Sequence, residues 1–197
     1  MKWSAPLEQL LAKYCDEAQV RHSLHRKAYY SYKRLLSCFQ IPIIVGSALS
    51  GSLQFLSKSF PDIESHIVTS TATLSIIVSI ASAIMSYLKI GESMTKNEIS
   101  LVEWQAFHNQ LQHQLALPQK DRAEPNEYIE MVKQQYDRLF EISPVCSQVF
   151  ITATKKKIKK IASTRFQIPT WLNGFSHTNV CTTQDDDEKY EDNSLEV

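Results

Sequence analysis

The chain reads as an all-α protein: a two-transmembrane helical hairpin with N-terminal and C-terminal cytosolic helices forming a helical bundle. Three observations predict this. Residues 35–56 and 67–88 each run without a single charge. The charges flanking these two windows are unevenly distributed. Elsewhere apolar residues recur at helical spacing, and only four glycines are present, few for an all-β fold built on many turns.

The first window is LLSCFQIPIIVGSALSGSLQFL and the second is IVTSTATLSIIVSIASAIMSYL. At about 1.5 Å of rise per residue each helix would be roughly 33 Å long, enough to cross a hydrocarbon layer of about 30 Å. Pro42 lies about two turns inside the first window and is expected to bend it. Residues 57–66, SKSFPDIESH, form a polar, non-cytosolic connection. Lys27, Lys33 and Arg34 precede the first window and Lys89 and Lys96 follow the second, while the connection holds Lys58 with Asp62 and Glu64. The positive-inside rule therefore places both termini in the cytosol and makes the lipid bilayer a partner. Tyr29, Tyr30, Tyr32 and Tyr87 fall near the cytosolic boundary, and Phe55 and Phe60 near the other. A soluble helical bundle is the competing reading, favoured by Gln40, Gln54 and the many serines. A soluble core helix, however, normally carries one charged face, and neither window has one.

Small residues mark one face of each window. Gly46/Ser50 and Ser47/Gly51 are small-xxx-small pairs in the first. Ala72, Ser75, Ser79, Ser82 and Ser86 form a stripe in the second, with Leu74, Ile77, Val78, Ala81, Ile84, Met85 and Leu88 opposite. Lipid tails are as apolar as leucine, so helices in a bilayer associate through close packing and interhelical hydrogen bonds. The two small-residue faces would pack against each other, or the serine stripe would line a water-filled path between protomers. A serine can bond the preceding turn of its own helix, so spacing alone favours packing.

Residues 1–34 form an N-terminal amphipathic basic helix. Leu7, Leu10, Leu11, Tyr14, Ala18 and Leu24 supply its apolar side. Its end, RHSLHRKAYYSYKR, is basic and aromatic beside a membrane. Arg21, Arg26, Lys27, Lys33 and Arg34 are the candidate headgroup contacts. Residues 89–150 form a cytosolic helical region. A helix over 92–116 carries one stripe of Ile99, Val102 and Ala106, and another of Leu101, Trp104, His108, Leu111 and Leu115. The segment LPQKDRAEPN breaks it. Asn126 is the expected N-cap of the next helix, which should end before Pro144. Residues 151–197 comprise a basic segment, with five lysines around Ile158, and an acidic tail whose composition favours disorder. The formal net charge is zero, but this balance hides strong segregation.

The composition excludes more chemistry than it suggests. There is no glycine-rich phosphate loop, no GxSxG and no HExxH, so no catalytic residues are assigned and an enzyme is not expected. His22 and His25 share a helical face without a carboxylate or cysteine partner, a poor pattern for a metal; His108 and His113 are five apart, which misses the i,i+4 metal spacing, and read as surface or interface residues. No metal site, cofactor or nucleic-acid partner is expected. Cys15, Cys38, Cys146 and Cys181 are scattered, with no CxxC, as reduced thiols would be.

Taken together, "IPIIVGSALSG" in the first span, "SYLKIGE" closing the second and "YDRLFEISPVCS" closing the last helix resemble the SLATT domains. These are two-transmembrane effectors associated with nucleotide-sensing conflict systems. The resemblance covers about residues 5–150 and rests on Ile41-Pro42, the small residues after it, and Ser143-Pro144. It implies a membrane effector that forms a homo-oligomer and permeabilises a membrane when a separate sensor protein is triggered.

Overall fold

The computed structural model describes residues 3–57 and 64–161. Most of the connection at 57–66 and the acidic tail lie outside the described residues. The fold is helical, with no strand among the described residues. Two of its helices contain windows long and apolar enough to cross a membrane.

Helix α1 (Ala5–Ser57) runs unbroken through both the basic segment and the first apolar window. At about 1.5 Å per residue it is roughly 80 Å long. Pro6 sits in its first turn, where a missing N–H costs nothing, and no glycine or further proline interrupts the helix before Pro42. There the ring removes one N–H and so one bond to the carbonyl four residues back. Helix α2 (Glu64–Tyr87) returns alongside α1. Helix α3 (Ile90–Ala116) continues in the same direction, but not as one rod with α2. Lys89 adopts φ 47°, the left-handed region, and acts as the N-cap of α3. A non-glycine residue there costs roughly 1–2 kcal/mol, so packing of α3 on α1 must hold the break in place.

A 3₁₀ turn (Gln119–Asp121) leads into α4 (Pro125–Ile142). The expected cap is corrected here. Asn126 is not the N-cap: Glu124 is, and its carboxylate accepts from the backbone N–H of Asn126 at 2.9 Å and of Glu127 at 3.4 Å. Pro125 takes the first helical position, where a missing N–H costs nothing. The helix stops at Ile142, ahead of Pro144, as its sequence requires. Helix α5 (Gln148–Ile161) contains the lysine run and packs on α1.

The buried core sits entirely in the polar half of the molecule. Leu11, Cys15 and Ala18 of α1 meet Trp104, Phe107 and Leu111 of α3 and Tyr128, Val132 and Leu139 of α4. Trp104 stands edge-on to Phe107 and Tyr136, with ring centres 6.0 and 5.8 Å apart. Burying aromatic rings of this size stabilises the fold by about 1.5–3 kcal/mol each. A clamp closes the far end. Arg122 donates to Glu8 at 2.6 Å and to the carbonyls of Leu115 and Leu117. Its guanidinium lies 5.1 Å from the Trp3 ring centre. The turn after α3 is thereby tied to the start of α1.

One expected stripe of α3 is absent from this core. Ile99, Val102 and Ala106 are exposed, whereas Trp104, Phe107 and Leu111 turn inward.

Candidate functional site

The apolar windows pair along a seam with its own periodicity. On α1 the least exposed positions are Tyr32, Leu36, Phe39, Ile43, Gly46 and Ser50. On α2 they are Ile67, Thr71, Leu74, Val78, Ala81 and Met85. Both sets step by four and three, the spacing that keeps one face of each helix on its partner. At Gly46 the helices pack closely. A Cβ built there would stand 2.9 Å from Val78 Cγ2 and 3.8 Å from Leu74 Cδ1. Gly51, by contrast, faces open space.

The serine stripe lies one residue away from that seam. Ala72, Ser79, Ser82 and Ser86 are exposed. Ser75 is also exposed, yet its hydroxyl reaches Ser50 Oγ at 2.8 Å and joins the two helices. Ser79 donates to the Ser75 carbonyl in its own preceding turn, as Ser47, Ser52, Thr69 and Thr73 do in theirs. Such bonds let hydroxyls sit in an apolar medium at low cost. The hydroxyl stripe and the seam are therefore adjacent faces of α2. The apolar residues expected opposite the serines divide: Leu74, Val78, Ala81 and Met85 face α1, while Ile77 and Ile84 point outward.

Almost none of either apolar window is buried. Ile41, Ile44, Val45, Leu49, Ile76, Ile77 and Ile80 are each at least half exposed. The polar half, in the same chain, fully buries Leu11, Trp104, Phe107, Leu111, Val132 and Leu139.

Below the windows, polar side chains tie α1 to α3, α4 and α5. Glu17 accepts from Arg21 at 2.9 Å and from the Tyr136 hydroxyl at 2.8 Å. The Arg21 guanidinium lies 5.2 Å from the Trp104 ring centre and 4.8 Å from that of Phe140. Its side chain is only 13 % exposed, so Arg21 is turned into the bundle instead of outward. Lys27 donates to the buried Thr154 of α5 at 3.2 Å, and Lys33 to the Tyr29 hydroxyl at 3.4 Å. Arg26 and Arg34 are exposed.

His25 is buried, at 2 % exposure. Its Nδ1 lies 3.0 Å from Asn97 Oδ1 and 3.6 Å from Cys146 Sγ. Asn97 donates its own amide to the Ser93 carbonyl, so its oxygen faces the ring and His25 Nδ1 carries the hydrogen. Burial pushes the His25 pKa down, against the Asn97 bond. Cys15 lies 3.2 Å from His108 Nδ1 and is buried. Burial raises both the Cys15 and the Cys146 thiols to about 11, which leaves neither as a thiolate nucleophile near neutral pH. No cluster of three metal-ligating side chains occurs among the described residues. The buried His25–Asn97 pair escaped sequence reading, since neither residue carries a periodic signal.

No protein-family model, no curated protein and no solved structure matches the chain.

Proposed function

We propose that the chain is an integral membrane protein whose α1 and α2 cross the bilayer as a hairpin, with α3, α4 and α5 in the cytosol. In this reading it self-associates through its spans. One observation carries it: the apolar windows are almost wholly exposed while the polar half is tightly packed. In water such an apolar surface would far exceed what soluble monomers tolerate, and a bilayer removes the penalty. The exposed stripe of Ala72, Ser79, Ser82 and Ser86 is then free for a second copy. Ringed protomers would turn these hydroxyls towards a shared water-filled path, the pore-forming behaviour that the SLATT resemblance implies. A separate sensor protein would shift the population from closed hairpins to the open ring.

Two measurements test this. The chain should stay with membranes through carbonate extraction; release into the supernatant sinks the membrane reading. Reconstituted in liposomes, it should leak dye. Leakage unchanged by Ser79→Leu and Ser82→Leu rules out the stripe as lining.

A second reading is favoured by a different observation. Phe140, Ile142, Val145 and Val149 are exposed around the α4–α5 connection. They suit a hairpin that only anchors a cytosolic scaffold surface. A membrane-bound chain that never leaks dye supports it.

A further inference from the structure

Five basic side chains end the N-terminal segment, and the structure separates them by use. Arg21 is paired with Glu17 inside the bundle, Lys27 bonds Thr154, and Lys33 lies over the Tyr29 ring. Arg26 and Arg34 remain on the outer face of α1, eight residues apart, with Tyr30 midway between them. His22, Arg26, Tyr30, Arg34 and Cys38 step by four, a single ridge of the helix.

Two hollows open along this ridge and share Tyr30. The upper, of about 370 Å³, is lined by Tyr30, Ser31, Arg34, Leu35 and Cys38. The lower, of about 290 Å³, is lined by His22, Arg26 and Tyr30 of α1 with Leu101, Val102 and Gln105 of α3. Among the described residues no carboxylate lines either one. The upper hollow opens where the first apolar window begins, and exposed Ile41 and Val45, on the same helical face as Arg34, continue it into that window. Tyr30 is 57 % exposed and presents a hydroxyl at the same level.

We infer that this groove binds one phospholipid with a phosphorylated headgroup, drawn from the cytosolic leaflet. The inference rests on the membrane reading above. The phosphodiester sits by Arg34, Ser31 and Tyr30, and an acyl chain follows Ile41 and Val45 upward. Arg26 lies about 12 Å further from the bilayer by helical rise, too far to share that phosphate. It faces a second phosphate on the headgroup, reached along the lower hollow. Arginine's forked donors suit phosphate oxygens, and the apolar continuation suits a lipid better than a free anion.

The test is native mass spectrometry of the full chain in detergent. It is offered phosphatidylinositol monophosphate, phosphatidylinositol, phosphatidylcholine or soluble inositol bisphosphate. The expected result is a single adduct with the monophosphate lipid. Each arginine should contribute about fivefold, so Arg26→Gln removes the preference over phosphatidylinositol and R26Q/R34Q loses roughly thirtyfold. Tyr30→Ala should weaken the adduct with both charges kept. The inference is overturned by equal binding of the two inositol lipids, by Arg26→Gln keeping the preference, or by inositol bisphosphate binding as well as the lipid. It is overturned too if K89Q/K96Q on the other arm causes the same loss. Flotation of the chain with phosphatidylcholine vesicles separates the failures: a chain that does not float fails as a membrane protein, and one that floats without the adduct fails only here.

Discussion

At the scale of single residues, two buried polar groups make opposite predictions. The Tyr128 side chain is 4 % exposed, and its hydroxyl has no partner among the described residues. Burial raises its pKa to about 12, so the group stays neutral. An unsatisfied buried hydroxyl costs about 1–3 kcal/mol, so Tyr128→Phe should leave the melting temperature unchanged or raise it. A clear fall would reveal a partner for the hydroxyl. His25 behaves differently. It is hemmed in by Asn97 of α3, by Cys146, and by Arg21 and His22 of its own helix, and burial lowers its pKa below the ordinary 6.5. Below that value the unfolded chain takes up a proton that the folded chain resists. Stability should be full above about pH 6.5 and fall as pH drops towards the depressed folded value. His25→Gln should flatten this slope in thermal melts of the detergent-solubilised chain between about pH 7 and pH 5; an unchanged slope would assign the effect to another group.

At the scale of elements, the seam between α1 and α2 depends on one glycine. Gly46 has no room for a Cβ against Val78, whereas Gly51 has nothing within 4 Å. Gly46→Leu should force the helices apart and Gly51→Leu should not. The cost at Gly46 should be about 1–3 kcal/mol, the range for overpacked sites. A disulfide between cysteines placed at Ser50 and Ser75, whose hydroxyls are 2.8 Å apart, reports it: the bond should form readily with Gly51→Leu and poorly with Gly46→Leu. Equal yields would show that the seam yields to added volume. The windows themselves were legible in the sequence, because neither carries a charge over its whole length, whereas an ordinary surface helix has one charged face. The phase of the seam was not. Leucine and serine are both tolerated on either face of a span, so the pattern did not say which stripe meets α1. The lysine at the α2–α3 break gave no signal, since lysine has no preference for a left-handed backbone. The cap of α4 was legible but misread: Pro125 marks the first helical position, which makes Glu124 the cap. Arg21 looked like its basic neighbours, and only the placement of Glu17, Trp104 and Phe140 around it shows its different use.

At the scale of the whole molecule, α1 couples the two halves. The same unbroken helix supplies Leu11, Cys15 and Ala18 to the buried core and Gly46 and Ser50 to the apolar seam. Any tilt of α1 in the polar half is therefore carried into the apolar seam. The break at Lys89 leaves the return path articulated where α1 is not. In the proposed reading, a sensor acting on the polar half would move α1 against α2 about the break at Lys89.

That mechanism requires the core and the short connection to lie on opposite sides of the membrane, which can be tested directly. Positive charge precedes the first window and follows the second, and the connection between them carries little. Cys15 and Cys146 react slowly, because burial holds their thiols at about 11. With Cys38 and Cys181 replaced by serine, a cysteine at Ser59 should be labelled by an impermeant maleimide added to intact cells. A cysteine at Gln112, exposed on α3, should be labelled only after the membrane is opened. Labelling of both from outside would mean that the windows do not span. The reverse pattern would keep the hairpin but invert it, putting the Arg26–Arg34 groove in the wrong leaflet for an inositol phospholipid.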